Sequence, residues 1–333
     1  MAPTLACLPA LGNFHSAPSK AGSADTALSP EAQSSLPYPV TWAFTSTKDR
    51  DPPKDSDPPT VRFTNTQDLF NTIDSTTGDF LAVINVSPNQ FTEIEREQEK
   101  RRYKFRFRRY DSNSQILIIT ITTGIHETLH LGLYRRYFAQ LVRNGTEESW
   151  KDIGTETFRQ QGHPGGGGSQ GDSTGGPWPE RAGAGKWPTL VIESGYSETL
   201  PELYKDMEWW FQASNHEVKI VILAKFNDQQ HHILLEKWEE EISSPQGAIT
   251  RSRAATMEQQ NGVLNLVRRQ SITITRDETT NPVSYNVTRG ALVLGFRLLF
   301  LRDPGPQEGD FVLSIQDLQL FAEKVWAELP RSD

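Results

Sequence analysis

This chain has one cysteine, Cys7, among its 333 residues. No disulfide can form within it, which excludes a disulfide scaffold and suits a reducing compartment, cytoplasmic or nuclear. It has no apolar run near the roughly 20 residues that a membrane helix needs. No basic stretch precedes Leu5, Leu8 and Leu11, and Pro3 and Pro9 interrupt them, so no signal peptide is expected. Hydrophobic residues make up only 36 %, little for a chain that folds throughout, so part of it is expected to be unfolded. Positive charge is also in deficit. A formal net charge of −8 argues against a general polyanion binder and leaves room only for a local basic groove.

Proline and glycine are concentrated rather than spread. Ten of the 21 prolines lie in residues 1 to 60, ending in Asp51-Pro-Pro and Asp57-Pro-Pro, and this segment is expected to be a disordered tail. Ten of the 24 glycines lie in 162–186, among them Gly165 to Gly168, which reads as a flexible loop. A third soft stretch, about 243–262, is polar. The ordered part is therefore 61–329, interrupted by the glycine-rich loop.

Hydrophobic periodicity places the elements. Phe80–Ile84 and Ile116–Ile121 read as strands, and Tyr103–Tyr110 alternates apolar with basic, as a half-buried strand does. Ile125, Leu129, Leu133, Tyr137 and Leu141 fall four apart and predict a helix over 125–142, ended by Asn144-Gly145. Leu190-Val-Ile192 reads as a buried strand with Glu193 at its exit, followed by a helix opening near Ser197-Glu198-Thr199 and a second buried strand at 218–224. His232–Trp238 reads as a strand after a hairpin turn at Asp228, and Val287–Phe300 as one or two more. The last helix opens at Ser314 with Asp317 three residues on, a capping box. Strand clusters with helices between them predict a mixed α/β (α+β) sheet flanked by helices.

Three patterns carry chemistry. Asp172 and Glu193 are acids on neighbouring strands, a pair that can share a hard cation such as magnesium. His126-Glu127-Thr-Leu-His130 is a literal H-E-x-x-H on a helix, which puts two imidazoles on one face for zinc with Glu127 as base. A third ligand is needed; Glu147 and Glu148 follow, but beyond the end of the helix. Lys100 to Arg109 holds seven positive charges and no acid. As a strand it sets Arg102, Lys104, Arg106 and Arg108 on one face, either solvated or tracking the phosphates of DNA or RNA.

The segment Trp187-Pro-Thr-Leu-Val-Ile-Glu193-Ser-Gly-Tyr-Ser-Glu198, with Leu203, Asp206 and Trp209-Trp210 after it, resembles a large group of uncharacterised fungal proteins assigned to the PD-(D/E)xK restriction-endonuclease-like fold. Further matches are His126-Glu127, Trp150 with Gly154, Glu236-Lys-Trp238 and Phe300-Leu-Arg302, and the resemblance covers roughly 103–329. It implies a restriction-endonuclease-like mixed sheet and a metal-dependent nuclease, with Glu127 as the helix acid and Asp172 and Glu193 as the magnesium acids. The nuclease motif wants acid-x-Lys at the strand end. Gly195 stands where that lysine belongs, so Lys205 on the following helix, or Lys219, would have to supply the cation. The expected function is phosphodiester hydrolysis or a degenerate nucleic-acid binder. The alternatives are a non-catalytic interaction module with structural acids and a zinc hydrolase built on His126-Glu127-x-x-His130.

Overall fold

A computed structural model of the chain describes residues 59–76, 78–101, 105–154, 156–160, 167–242 and 264–329. Most of the expected tail, the soft stretch 243–262, and Arg102 and Lys104 of the basic stripe lie outside these residues. The end of the expected tail is ordered, since Thr60–Arg62 forms β1.

The first sheet has the order β1-β2-β4-β3-β7-β6. β1 runs parallel to β2 (Phe80–Ile84), and β4 (Ile116–Ile121) lies antiparallel between β2 and β3 (Phe105–Asp111). The short strands β6 (Phe158–Arg159) and β7 (Gly168–Ser169) complete it. Two helices outside the sequence expectation, α1 (Thr66–Ser75) and α2 (Pro88–Arg101), accompany it. Leu69, Phe70, Ile73, Phe91 and Ile94 from these helices share one core with Phe105, Phe107, Leu117 and Ile119.

The second sheet has the order β13-β12-β11-β10-β9-β8-β5. Within it β9 (Leu190–Gly195) runs parallel to β10 (Ile220–Asn227) and antiparallel to β8 (Ser173–Pro177). β5 is Trp150–Asp152, β11 His232–Ile242, β12 Leu264–Asp277 and β13 Ser284–Thr288. β14 (Leu292–Leu294) and β15 (Phe311–Leu313) make a separate antiparallel pair. The expected strand near Phe300 is instead a short helix, α5 (Phe296–Phe300). The last helix, α6 (Ile315–Ala327), has the Ser314–Asp317 capping box.

Two helices sandwich β9. α3 (Gly124–Asn144) buries Ile125, Leu129, Leu133, Tyr137 and Leu141 and stops at Gly145, whose φ of 65° is the left-handed cap. Each such buried side chain contributes about 1.5–3 kcal/mol by area. α4 (Leu200–Ala213) covers the opposite face with Leu203, Met207, Trp210 and Phe211. Alternation along β9 decides what each helix meets. Leu190 and Ile192 join the core under α3, and Val191 joins the core under α4. Among the described residues no helix is long and apolar enough to cross a membrane.

The glycine-rich segment departs from expectation. From Gly167 to Pro177 it is strand and tight turn, and buried throughout. Its glycines are there because the packing leaves no room for a side chain. A Cβ on Gly175 would lie 2.6 Å from the Tyr134 hydroxyl and 2.7 Å from the Trp150 indole nitrogen. Residues 161–166 lie outside the described part.

Candidate metal centre

The N-terminal turn of α3 starts with Thr123, whose Oγ1 accepts from the His126 amide at 3.2 Å. Four residues separate His126 from His130, so both imidazoles turn inward, with ring centroids 5.3 Å apart. Both are buried. Glu127, 33 % exposed, sits at the mouth. Gly171 faces Trp210 and Val191 on the α4 side, and alternation turns the next residue, Asp172, toward α3. There Asp172 Oδ2 accepts from the Ser194 amide at 2.8 Å and from Ser194 Oγ at 2.9 Å. His126 Nε2 lies 3.1 Å from the same oxygen.

A strand of the first sheet contributes the fifth member. Arg106 on β3 places Nη1 3.2 Å from Asp172 Oδ1 and 3.3 Å from His130 Nε2, and Nη2 2.9 Å from Glu127 Oε1. A guanidinium can only donate, so in that contact His130 Nε2 is the acceptor. Nδ1 of the same ring lies 2.8 Å from Ser173 Oγ. Burial holds the His130 pKa below its ordinary value. Burial alone would raise Asp172, but His126, His130 and Arg106 together hold it well below the usual carboxylate range. Glu127 is lowered in the same way, its burial outweighed by His130 and Arg106.

Glu193 belongs to a different cluster. The strand does not end at it but continues to Gly195, and alternation turns its side chain to the α4 face. Trp210 Nε1 donates to its Oε1 at 2.5 Å, and Arg108 Nη2 lies 3.9 Å from Oε2. Arg108 also meets Glu198 at 2.7 Å and Asp206 in a short contact. Burial first, then the charge of Asp172, pushes Glu193 well above the carboxylate range, and burial does the same to Glu198.

These positions test the magnesium pair. Asp172 and Glu193 face opposite sides of one sheet. Glu193 is engaged on the α4 side by Trp210 and Arg108. A hard cation needs oxygens converging on one point, and carboxyls on opposite faces of a sheet do not converge. Lys205 is not part of either cluster; it projects from α4, 59 % exposed, and pairs with Glu202.

Two residues of the basic stripe, Arg106 and Arg108, are among the described residues. An extra residue in β3, between Phe107 and Arg109 in the pairing with β4, is Arg108, and it turns inward. Arg106 meets Asp172 and Glu127, and Arg108 meets Glu198 and Asp206. Arg109 pairs with Asp206 at 2.6 Å and Glu202 at 3.0 Å. The adjoining cleft, of about 890 Å³, is lined by Glu95, Glu99, Glu127 and Glu156 as well as Arg96, Arg106 and Arg159, so it carries both signs of charge.

What remains is His126, Glu127 and His130, whose donor atoms all lie within 4.8 Å of one another, with Asp172 beside them. Nδ1 of the buried His126 has no hydrogen-bond partner. Sequence reasoning found these four but missed Ser173, Ser194 and the inward role of Arg106. Only the third dimension joins those three, and no spacing in the sequence marks them. No model of a known protein family matches this chain, and no curated protein matches it.

Proposed function

We propose that the centre formed by His126, His130 and Asp172, with Glu127 at its mouth, is a transition-metal site of hydrolase type. The observation that carries this reading is His126, which is buried, with Nε2 3.1 Å from Asp172 Oδ2 and Nδ1 without a hydrogen-bond partner. Ligands about 2.0–2.1 Å from a tetrahedral zinc lie about 3.3–3.4 Å apart. The 3.1 Å His126–Asp172 separation is close to that edge. Imidazole nitrogens select zinc or cobalt over magnesium, and the Ser173 contact on His130 is the kind of outer partner that fixes a ligand's tautomer. A metal held here would supply Lewis acidity at the floor of the cleft. Glu127, half in the cleft, is the group placed to accept a proton there.

The chain order of helix with Glu127, acid, strand with Glu193, helix α4 and parallel strand supports the restriction-endonuclease-like resemblance at the level of architecture. Fold does not carry function, and the donor set supports a borderline metal over the magnesium pair. The test is elemental analysis and cobalt titration of protein purified without chelator or metal-affinity resin. One zinc or cobalt per chain is expected, lost in His126→Ala, His130→Ala and Asp172→Asn and kept in Glu193→Gln. Glu127→Gln should keep the metal and lose any ester- or phosphodiester-cleaving activity. Absence of zinc and cobalt binding, or binding indifferent to His126 and His130, overturns the reading.

A further inference from the structure

The guanidinium of Arg106 lies inside the donor set just described. Its two terminal nitrogens reach Asp172 Oδ1 at 3.2 Å, the Asp172 carbonyl at 3.2 Å, His130 Nε2 at 3.3 Å and Glu127 Oε1 at 2.9 Å. Three of the four side chains that could hold a metal are thus already serving one cation. A metal about 2 Å from Asp172 and His130 would stand within van der Waals range of Nη1, where like charges repel strongly at the low dielectric of a buried site. Both cations cannot be accommodated together.

We propose that Arg106 is the resident cation of this site, and that the guanidinium and a divalent metal occupy it alternately. The inference rests on the metal-site reading above. Arg106 has somewhere to go: its side chain, 12 % exposed, borders the cleft of about 890 Å³, whose wall carries Glu99 and Glu156. It also has a reason to stay. Without it, the buried Asp172 loses its guanidinium partner, and a buried carboxylate without a counter-charge is costly. The exchange therefore keeps the cluster compensated whether or not metal is present. Metal affinity is set by the difference between two cations competing for one set of donors, and by linkage Arg106 and the metal weaken each other equally.

Cobalt is the probe, titrated into full-length protein and followed by its visible absorption. Wild type, Arg106→Met and Arg106→Gln are compared, each first checked for a cooperative melt. Loss of the guanidinium should tighten cobalt binding by at least about tenfold, within the usual range of coupled sites. Arg106→Lys, which keeps a charge but loses the fork, should fall between. Equal or weaker binding by both neutral variants, with wild type still binding through His126 and His130, overturns the exchange and leaves the metal site standing. Failure of wild type and neutral variants alike to bind cobalt overturns both.

Discussion

The indole N–H of Trp210 donates to Oε1 of Glu193 across 2.5 Å, while Oε2 of the same carboxyl has no hydrogen-bond partner. One donor does not compensate a carboxylate buried under a helix, which is why Glu193 is held well above the ordinary carboxylate range, by burial first and then by Asp172.

That shift has a signed consequence. A carboxyl raised in the folded state stabilises fully below its unfolded value, near 4.5, and the contribution is lost as pH rises through the folded value. Glu193→Gln imitates the neutral form. Its urea midpoint should match wild type near pH 4 and exceed it near pH 8. A variant equally destabilised at both pH values would show that Glu193 is ionised and needed as a charge.

Arg108 is the only cation within 4 Å of Glu193 or Glu198 among the described residues, and it is fully buried with them. Arg108→Met removes the donor shared by Glu198 and Asp206 and leaves buried oxygens unsatisfied, so it should cost about 1–3 kcal/mol. Adding Glu198→Gln should recover part of that loss. Additive losses in the double variant would mean that the two residues do not interact.

Gly175→Ala forces a methyl group into Tyr134 and Trp150, whose atoms are pinned to each other by a 2.9 Å hydrogen bond. Overpacking of that kind costs about 1–3 kcal/mol. Gly185→Ala is the contrast, since a Cβ there meets nothing within 4 Å and only its φ of +71° opposes the change. If thermal melts rank Gly185→Ala as the more damaging, packing is not why Gly175 is a glycine.

The sequence was informative where one element answers to its own period. The α3 stripe, β2, β4 and the Ser314 cap could all be read locally, because each is set by neighbours a few residues away. His126 and His130 were legible for the same reason, four residues apart on one helix. Arg106 and Arg108 were not. Their alternation with Phe105 and Phe107 identifies a buried aromatic face, but the acids that bury the other face lie 66 and 98 residues downstream, at Asp172 and Asp206. The bulge that turns Arg108 inward has no composition of its own. Glycine content misled in the opposite direction, since crowding at Gly171 and Gly175 demands the same residue that freedom permits.

Ser194 belongs to both clusters at once. Its amide and hydroxyl hold Asp172 under α3, while its carbonyl accepts from Arg108 at 3.1 Å under α4. Only one residue's thickness of backbone separates the imidazole cluster from the arginine–acid cluster, and a strand that thin is a poor insulator. Tilting that backbone to satisfy one side detunes the other, so Asp172→Asn and Arg108→Lys should fail to behave as independent substitutions in a double-mutant cycle. The two clusters are then one mechanical unit, and strain introduced in either is felt in the other.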